Sequence, residues 1–324
     1  MLTFHRRGEA VIVGDDLKQC RSHMEGAVWV DLIEPTRDEE AAIEASLGFD
    51  VPTVEEMKQL ELSQRLYRDG ERLFMTATVL TRADTDTPAS SPITFILSPQ
   101  NLVTVRYEAA SPVATFSKRW EGSRSHEGTP LIAMVGLVDA LVERLADILE
   151  AASARYDAMS TDVFRSMPSG PERRDYREVL ERLGRNTDLV SRAKESLTSL
   201  GRLVGFLQEA VAERSGTQTT VAHLKTVTED LIALGEHVTF LMGKATFLLD
   251  ATLGLISNEQ NGIIKLVSVL ALVFGPPTLV ASIYGMNFET MPELKWTFGY
   301  PLALVFMVVS AILPYAFFKH RRWL

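Results

Sequence analysis

Tyr284-Gly285-Met286-Asn287-Phe288-Glu289-Thr290-Met291-Pro292-Glu293-Leu294 is a short polar loop between two apolar segments, and its setting decides the fold. From Ile263 to Tyr284 the only charge is Lys265, and from Tyr300 to Phe318 there is none. Each run is about 20 residues long, enough for a helix rising 1.5 Å per residue to cross a hydrocarbon core of about 30 Å. The two runs therefore read as a transmembrane hairpin over 263–324, with an outer loop at 285–299. Lys319, His320, Arg321 and Arg322 follow the second run and Lys265 opens the first, whereas the loop carries Glu289, Glu293 and a lone Lys295. Excess Lys and Arg marks the cytoplasmic side. The expectation is a multi-pass protein of the plasma (inner) membrane with both termini cytoplasmic and the loop outside. A buried hairpin of a soluble protein would also be apolar, but two membrane-length runs closed by a basic tail fit a bilayer better.

The rest of the composition belongs to a folded, largely polar body. Of 324 residues, 46% are apolar and 23% charged, a balance that supports about two domains. Mean hydropathy near zero averages this body with the apolar tail. The single cysteine, Cys20, excludes an intramolecular disulfide and fits a reducing compartment. Met1-Leu2-Thr3-Phe4-His5-Arg6-Arg7 contains no apolar run, so the hairpin itself is expected to direct insertion. A net charge of −9 argues against a nucleic-acid partner and is compatible with divalent cations.

Residues 1–125 read as a cytoplasmic α/β domain. Val28 to Ile33 is a strand candidate ended by Pro35, and Thr36 with Glu39 and Thr53 with Glu56 have capping-box spacing, which starts helices at Arg37 and Val54. Arg65 to Tyr67 and Leu73 to Leu80 flank Asp69-Gly70, a pair suited to a tight hairpin turn. Ile93 to Leu97 and Leu102 to Tyr107 flank Ser98-Pro99-Gln100-Asn101 as a further pair of strands. Strands interleaved with helices predict a mixed sheet covered by helices. No phosphate-cradling Gly-Lys-Ser/Thr loop or dinucleotide fingerprint follows any strand, so nothing here proposes an enzyme.

Residues 126–262 read as a long-helix stalk. Thr129 is a plausible N-cap with Pro130 at the first helical position. Leu131, Val135, Val138, Val142, Leu145 and Leu149 then recur at helical steps as far as a break at Met167-Pro168-Ser169-Gly170-Pro171. A second helix carries Tyr176, Leu180, Leu183 and Leu197. After Ser215-Gly216, Leu224, Val227, Leu231, Leu234, Val238, Leu241, Ala245 and Leu248 alternate steps of three and four, a coiled-coil-like seam. No proline interrupts before Pro276, which predicts one helix of about 65 residues, roughly 100 Å at 1.5 Å per residue, running into the bilayer. Such a helix needs company along its length, from its own chain or from copies of itself.

Within the first membrane segment Asn261, Ser268, Ala271, Gly275, Thr278, Ser282 and Gly285 lie at steps of three, four or seven and share a face. Ile264, Leu266, Val267, Val269, Leu270, Leu272, Val273, Leu279, Val280 and Ile283 occupy the others. Small and hydroxylated residues in a membrane serve close packing or line a path for water and ions. The loop at the end of the stripe, with its Asn and outer carboxylates, favours the path.

Gly285-Met286-Asn287 followed by Met291-Pro292-Glu293-Leu294 resembles the CorA-type divalent cation transporters, in which such a triplet ends the first of two C-terminal membrane helices. Trp296, Tyr300-Pro301 and the basic end Lys319 to Leu324 are similar as well, and the detailed match spans Asp250 to Leu324. The resemblance implies a homopentameric funnel, its α/β domains and long helices cytoplasmic, with five copies of the first membrane helix lining the pore. It implies a selectivity filter of Gly285, Met286 and Asn287, the Asn287 oxygens facing the ion. Neutral oxygens suit magnesium, which demands octahedral oxygen ligands and gives up water reluctantly. Glu289 and Glu293 in the outer loop would concentrate cations.

By the same resemblance Asn261, Ile264, Gly275 and Thr278 face the pore, in one line with Ser268, Ala271 and Ser282. Where members of the family carry a bulky Met in an apolar constriction, this chain has Gly275, which moves the expected gate towards Ile264 and Val267. Asp250 matches the acidic residue that binds regulatory magnesium between subunits, and Asp84 and Asp86 are the expected carboxylate partners. The implied function is channel-like uptake of magnesium, with cobalt or nickel as further ions, driven by membrane potential and gated by cytoplasmic magnesium. No organic cofactor is expected. The alternatives are a zinc transporter of the ZntB type, disfavoured by Met286 and the intact Met-Pro-Glu-Leu, and a membrane-anchored coiled-coil scaffold or sensor without a pore. An enzyme is remote, as the six His are scattered without metal-ligand spacing.

Overall fold

A computed structural model describes residues 1–6, 12–14, 20–59, 61–122, 128–164, 176–212, 217–286, 291–292 and 296–321. The chain divides into two compact units, Met1–Leu249 and Asp250–Leu324. In the first, β1 (Leu2–Arg6), β2 (Ile12–Val13), β3 (Ala27–Ile33), β4 (Leu66–Asp69), β5 (Arg72–Thr81), β6 (Ala89–Leu97) and β7 (Leu102–Arg106) form one sheet in the order β2-β1-β3-β7-β6-β5-β4. Only β3 and β7 pair in parallel, so the sheet is mixed as the alternation of strands and helices predicts.

The strands read as nearly unbroken apolar runs because both faces are covered. Leu73, Met75, Phe95 and Leu97 point into one core and Phe74 and Ile96 into the other, the period of two expected of a pleated strand. The second face is closed by α2 (Arg37–Leu47) and α3 (Val54–Met57) through Ile43, Val51 and Met57. Both helices start where the Thr and Glu spacing puts them. Glu39 N–H donates to Thr36 Oγ1 at 3.3 Å and Thr36 N–H to Glu39 at 2.8 Å, and Thr53 and Glu56 repeat the exchange at 3.4 and 2.8 Å. The short helices α1 (Cys20–Met24) and α4 (Leu62–Arg65) complete this layer.

The first face carries α5 (Ser111–Gly122), α6 (Pro130–Phe164) and α7 (Tyr176–Ala212). Helix α6 begins at Pro130, and Thr129 Oγ1 accepts from Ile132 N–H at 3.2 Å, as its N-cap reading requires. Helix α7 also seals an edge: β4 pairs only with the first residues of β5, which leaves the later N–H groups open. Thr78 N–H donates to Ser199 Oγ at 2.8 Å and Leu80 N–H to Ser196 Oγ at 3.2 Å. Two serine hydroxyls thus stand in for a missing strand.

Two features differ from the sequence reading. The opening residues form a strand of the sheet, one in from its edge, between β2 and β3. On one face β1 buries Leu2 and Phe4, but on the other it buries Thr3 and His5, and the half-polar strand hides the signal. The β4–β5 turn is also displaced by one residue: Asp69 pairs with Arg72, so the loop is Gly70-Glu71 rather than Asp69-Gly70. Gly70, at φ +59°, takes the left-handed position that a glycine at the head of a two-residue loop supplies.

Asp31, at the centre of the sheet, is the buried charge. Arg106 donates to it twice, at 2.8 and 3.2 Å, and Thr104 Oγ1 once, at 2.6 Å, while Trp29 Nε1–H donates to Thr104 Oγ1 at 2.9 Å. The imidazole of His5 stacks on Trp29 at 3.9 Å beside them.

Candidate ion pathway

Helix α8 (Gln218–Tyr284) is a single helix of 67 residues and passes from the first unit into the second. Its seam is packed by its own chain: Leu224, Val227, Leu231, Val238, Leu241, Ala245 and Leu248 are buried in the core that α6 and α7 share, with Leu234 half-buried beside them. Lys244 Nζ donates to Asp157 of α6 at 2.6 Å, His223 meets Asp139 at 2.8 Å, and Phe247 stacks on Phe164 at 5.7 Å. The company that the seam demands comes, in this stretch, from the same chain.

The helix continues unbroken through Pro276 and Pro277. Two adjacent prolines remove the N–H donors due to the carbonyls of Leu272 and Val273. One residue on, Thr278 Oγ1 donates to Phe274 O at 2.6 Å, the back-bond that a hydroxyl makes inside a membrane helix. The C-terminal end winds up where the triplet begins, with Gly285 N–H donating to Ala281 O at 2.9 Å and Met286 N–H to Ile283 O at 3.3 Å.

Helix α9 (Gly299–His320) is the second helix long and apolar enough to cross a membrane. It turns Ala303, Met307, Ser310, Ala311, Pro314 and Phe318 towards α8, at the spacing of one helical face. On α8 the covered positions are Val269, Val273, Pro276, Pro277, Val280 and Tyr284. At 100° per residue that set lies on the side of α8 opposite Asn261, Ser268, Ala271, Gly275, Thr278 and Ser282. Every one of those six is exposed along the chain, as are Ile264, Val267, Gly285 and Met286. The small and hydroxylated stripe is therefore not the seat of α9. A Cβ built on Gly275 meets nothing within 4 Å, so no contact inside the chain requires glycine there.

Asn287, Glu289 and Glu293, the residues expected to meet the ion first, lie outside the described residues. Asp250 opens the second unit on an exposed turn of α8. Asp84 and Asp86 lie in the turn between β5 and β6 of the first unit, both exposed. Asp84 accepts from Arg144 Nη2 of α6, an ion pair that sequence reading missed because nothing in the spacing of residues 84 and 144 announces it. Among the described residues no group of three or more His, Cys, Asp or Glu is gathered for a metal. The chemistry on offer is a membrane helix with one face of hydroxyls, small side chains and an amide, not a preformed carboxylate cage.

Comparison with known proteins identifies the family and the fold. The model of the "CorA-like Mg2+ transporter protein" family matches residues 24–320. The magnesium transport protein CorA of Salmonella typhimurium is 34% identical over 298 residues, 92% of each chain. The complete structure of the CorA magnesium transporter from Methanocaldococcus jannaschii superposes with a TM-score of 0.75 at 16% identity, covering 98% of this chain and 96% of that one. The cytoplasmic domain of ZntB from Vibrio parahaemolyticus is a more distant fold neighbour, with a TM-score of 0.53 at 10% identity over 71% of this chain and 88% of its own. The family model and the Salmonella relative both reach across nearly the whole chain, through α/β unit, long helices and apolar hairpin. The chain belongs to the CorA-like Mg2+ transporter family, whose members move ions rather than catalyse reactions.

Proposed function

We propose that the chain assembles as a homopentamer in the inner membrane and conducts magnesium inward along α8. The observation that carries this reading is the stripe from Asn261 to Ser282, exposed from end to end and turned away from α9. A membrane helix gains nothing by showing hydroxyls and an amide to lipid. Facing copies of itself around an axis, the same stripe lines a passage narrow enough to select and wet enough to conduct.

In this reading Gly285, Met286 and Asn287 form the filter at the outer mouth, with Glu289 and Glu293 drawing cations towards it. Both termini are cytoplasmic. Uncharged oxygens hold the hydrated ion weakly, as conduction requires. Ile264 and Val267 form the apolar constriction, since Gly275 is too small to close the passage. Asp250, with Asp86 or Asp84 of a neighbouring copy, takes up cytoplasmic magnesium and holds the closed state; loss of the ion leaves like charges to repel one another. Arg144 already engages Asp84, so Asp86 is the freer partner. Cobalt and nickel, with similar hydration, enter by the same route.

Membrane potential is sufficient drive. One charge crossing 100 mV gains about 2.3 kcal/mol, so a divalent ion gains about 4.6, equivalent to roughly a 2000-fold gradient at 1.36 kcal/mol per decade.

Uptake into proteoliposomes with an interior-negative potential tests the proposal. Magnesium, cobalt and nickel are expected to enter, and Asn287→Ala to abolish the flux while the assembly keeps its mass. Zinc entry without magnesium would replace this reading with the zinc one, and an Asn287→Ala protein with full flux would remove the filter from it.

A further inference from the structure

The first unit holds a second feature with binding chemistry, a cavity of about 260 Å³ between the β5–β6 turn, α6 and α7. Arg155 of α6 and Arg182 and Arg185 of α7 converge on it. On these helices Arg144, Arg177, Arg182 and Arg192 each grip a carboxylate: Asp84, itself in the cavity lining, Glu181, Asp162 and Asp188. Arg155 and Arg185 have no ion pair among the described residues, so two uncompensated guanidinium groups line the same cavity.

We propose that this cavity binds a phosphoryl anion, the chemistry shared by inorganic phosphate and the phosphates of a nucleotide. Guanidinium forks match phosphate oxygens in geometry and charge, and two lining one cavity can hold one phosphoryl group from two sides. The lining also includes Asp86, which repels a bare polyanion and tolerates one whose charge is reduced by bound magnesium. The site therefore favours a magnesium-chelated nucleotide over the metal-free form.

Titration calorimetry on the full-length assembly in detergent tests the site, with inorganic phosphate, adenosine, ATP and magnesium-ATP as probes. Magnesium-ATP is expected to saturate with a Kd at or below about 1 mM, phosphate to compete with it, and adenosine not to bind. The Arg155→Gln/Arg185→Gln protein is expected to lose at least about tenfold in affinity at an unchanged melting temperature, both side chains being exposed. Asp86→Asn is expected to narrow the gap between ATP and its magnesium complex. Phosphate and ATP of equal affinity would assign the site to free phosphate. Absence of saturable binding by every probe, or binding that the double substitution leaves unchanged, overturns the proposal.

Discussion

At the scale of single residues, the most consequential contacts lie in the sheet rather than in the membrane. Asp31 and Arg106 are each 5% exposed in their side chains, and removing one charge strands the other in a low-dielectric interior. Asp31→Asn is expected to cost about 3–5 kcal/mol, read as a lowered denaturation midpoint of the full-length protein. His5 gives a pH signature. Burial pushes its pKa down to about 4, against the pull of the Asp31 carboxylate, so it is neutral when folded, whereas an unfolded histidine takes its proton near 6.5. Its contribution is complete above about pH 6.5 and is lost as pH falls towards about 4, a total of about 3 kcal/mol. His5 Nδ1 has no hydrogen-bond partner, so His5→Phe is expected to flatten stability across that window without losing a bond at that atom. Stability curves of both proteins between those limits check it; equal slopes would remove His5 from the account. Thr36→Ala is a smaller test at this scale, expected to cost about 1 kcal/mol through the loss of the cap.

At the scale of elements, legibility followed locality. The caps at Thr36, Thr53 and Thr129, the apolar periodicity of α6 to α8 and the length of the membrane runs are all written within a few residues of where they act, and the folded chain has them. What sequence reading missed is carried by distant partners: β1 became a strand because β3 lies beside it, and His5 is tolerated because Trp29 stacks on it. The stripe was legible as a face, but not its use, since packing and lining call for the same small residues. In the folded chain α9 takes the other side of α8, which rules out α9 as the partner of the stripe. Asn287 was legible only through its triplet and lies outside the described residues. Two substitutions on α8 separate the roles of its two halves. Leu241→Ala, in the buried seam, is expected to destabilise by about 2–5 kcal/mol. Gly275→Met, where a Cβ meets nothing in the chain within 4 Å, is expected to leave melting unchanged and reduce magnesium flux at least about tenfold by narrowing the passage. A Gly275→Met protein that melts early instead would place that glycine in packing.

At the scale of the whole molecule, family membership fixes the fold and the class of function, and the proposal made for α8 concerns how this chain performs it. The central claim is that the stripe faces water, and cysteine accessibility measures that directly. The one native cysteine, Cys20, is buried, with its thiol pKa raised by burial, so the background is quiet. Single cysteines at Ser268, Ala271 and Thr278, and at Leu266 and Leu270 as controls off the stripe, are to be treated in proteoliposomes with a charged, membrane-impermeant thiol reagent while magnesium entry is followed. The account predicts that the first three react and lose flux on modification, whereas the two controls stay unmodified and conduct. Unreactive cysteines at all three stripe positions, in an assembly that still conducts magnesium, would contradict it.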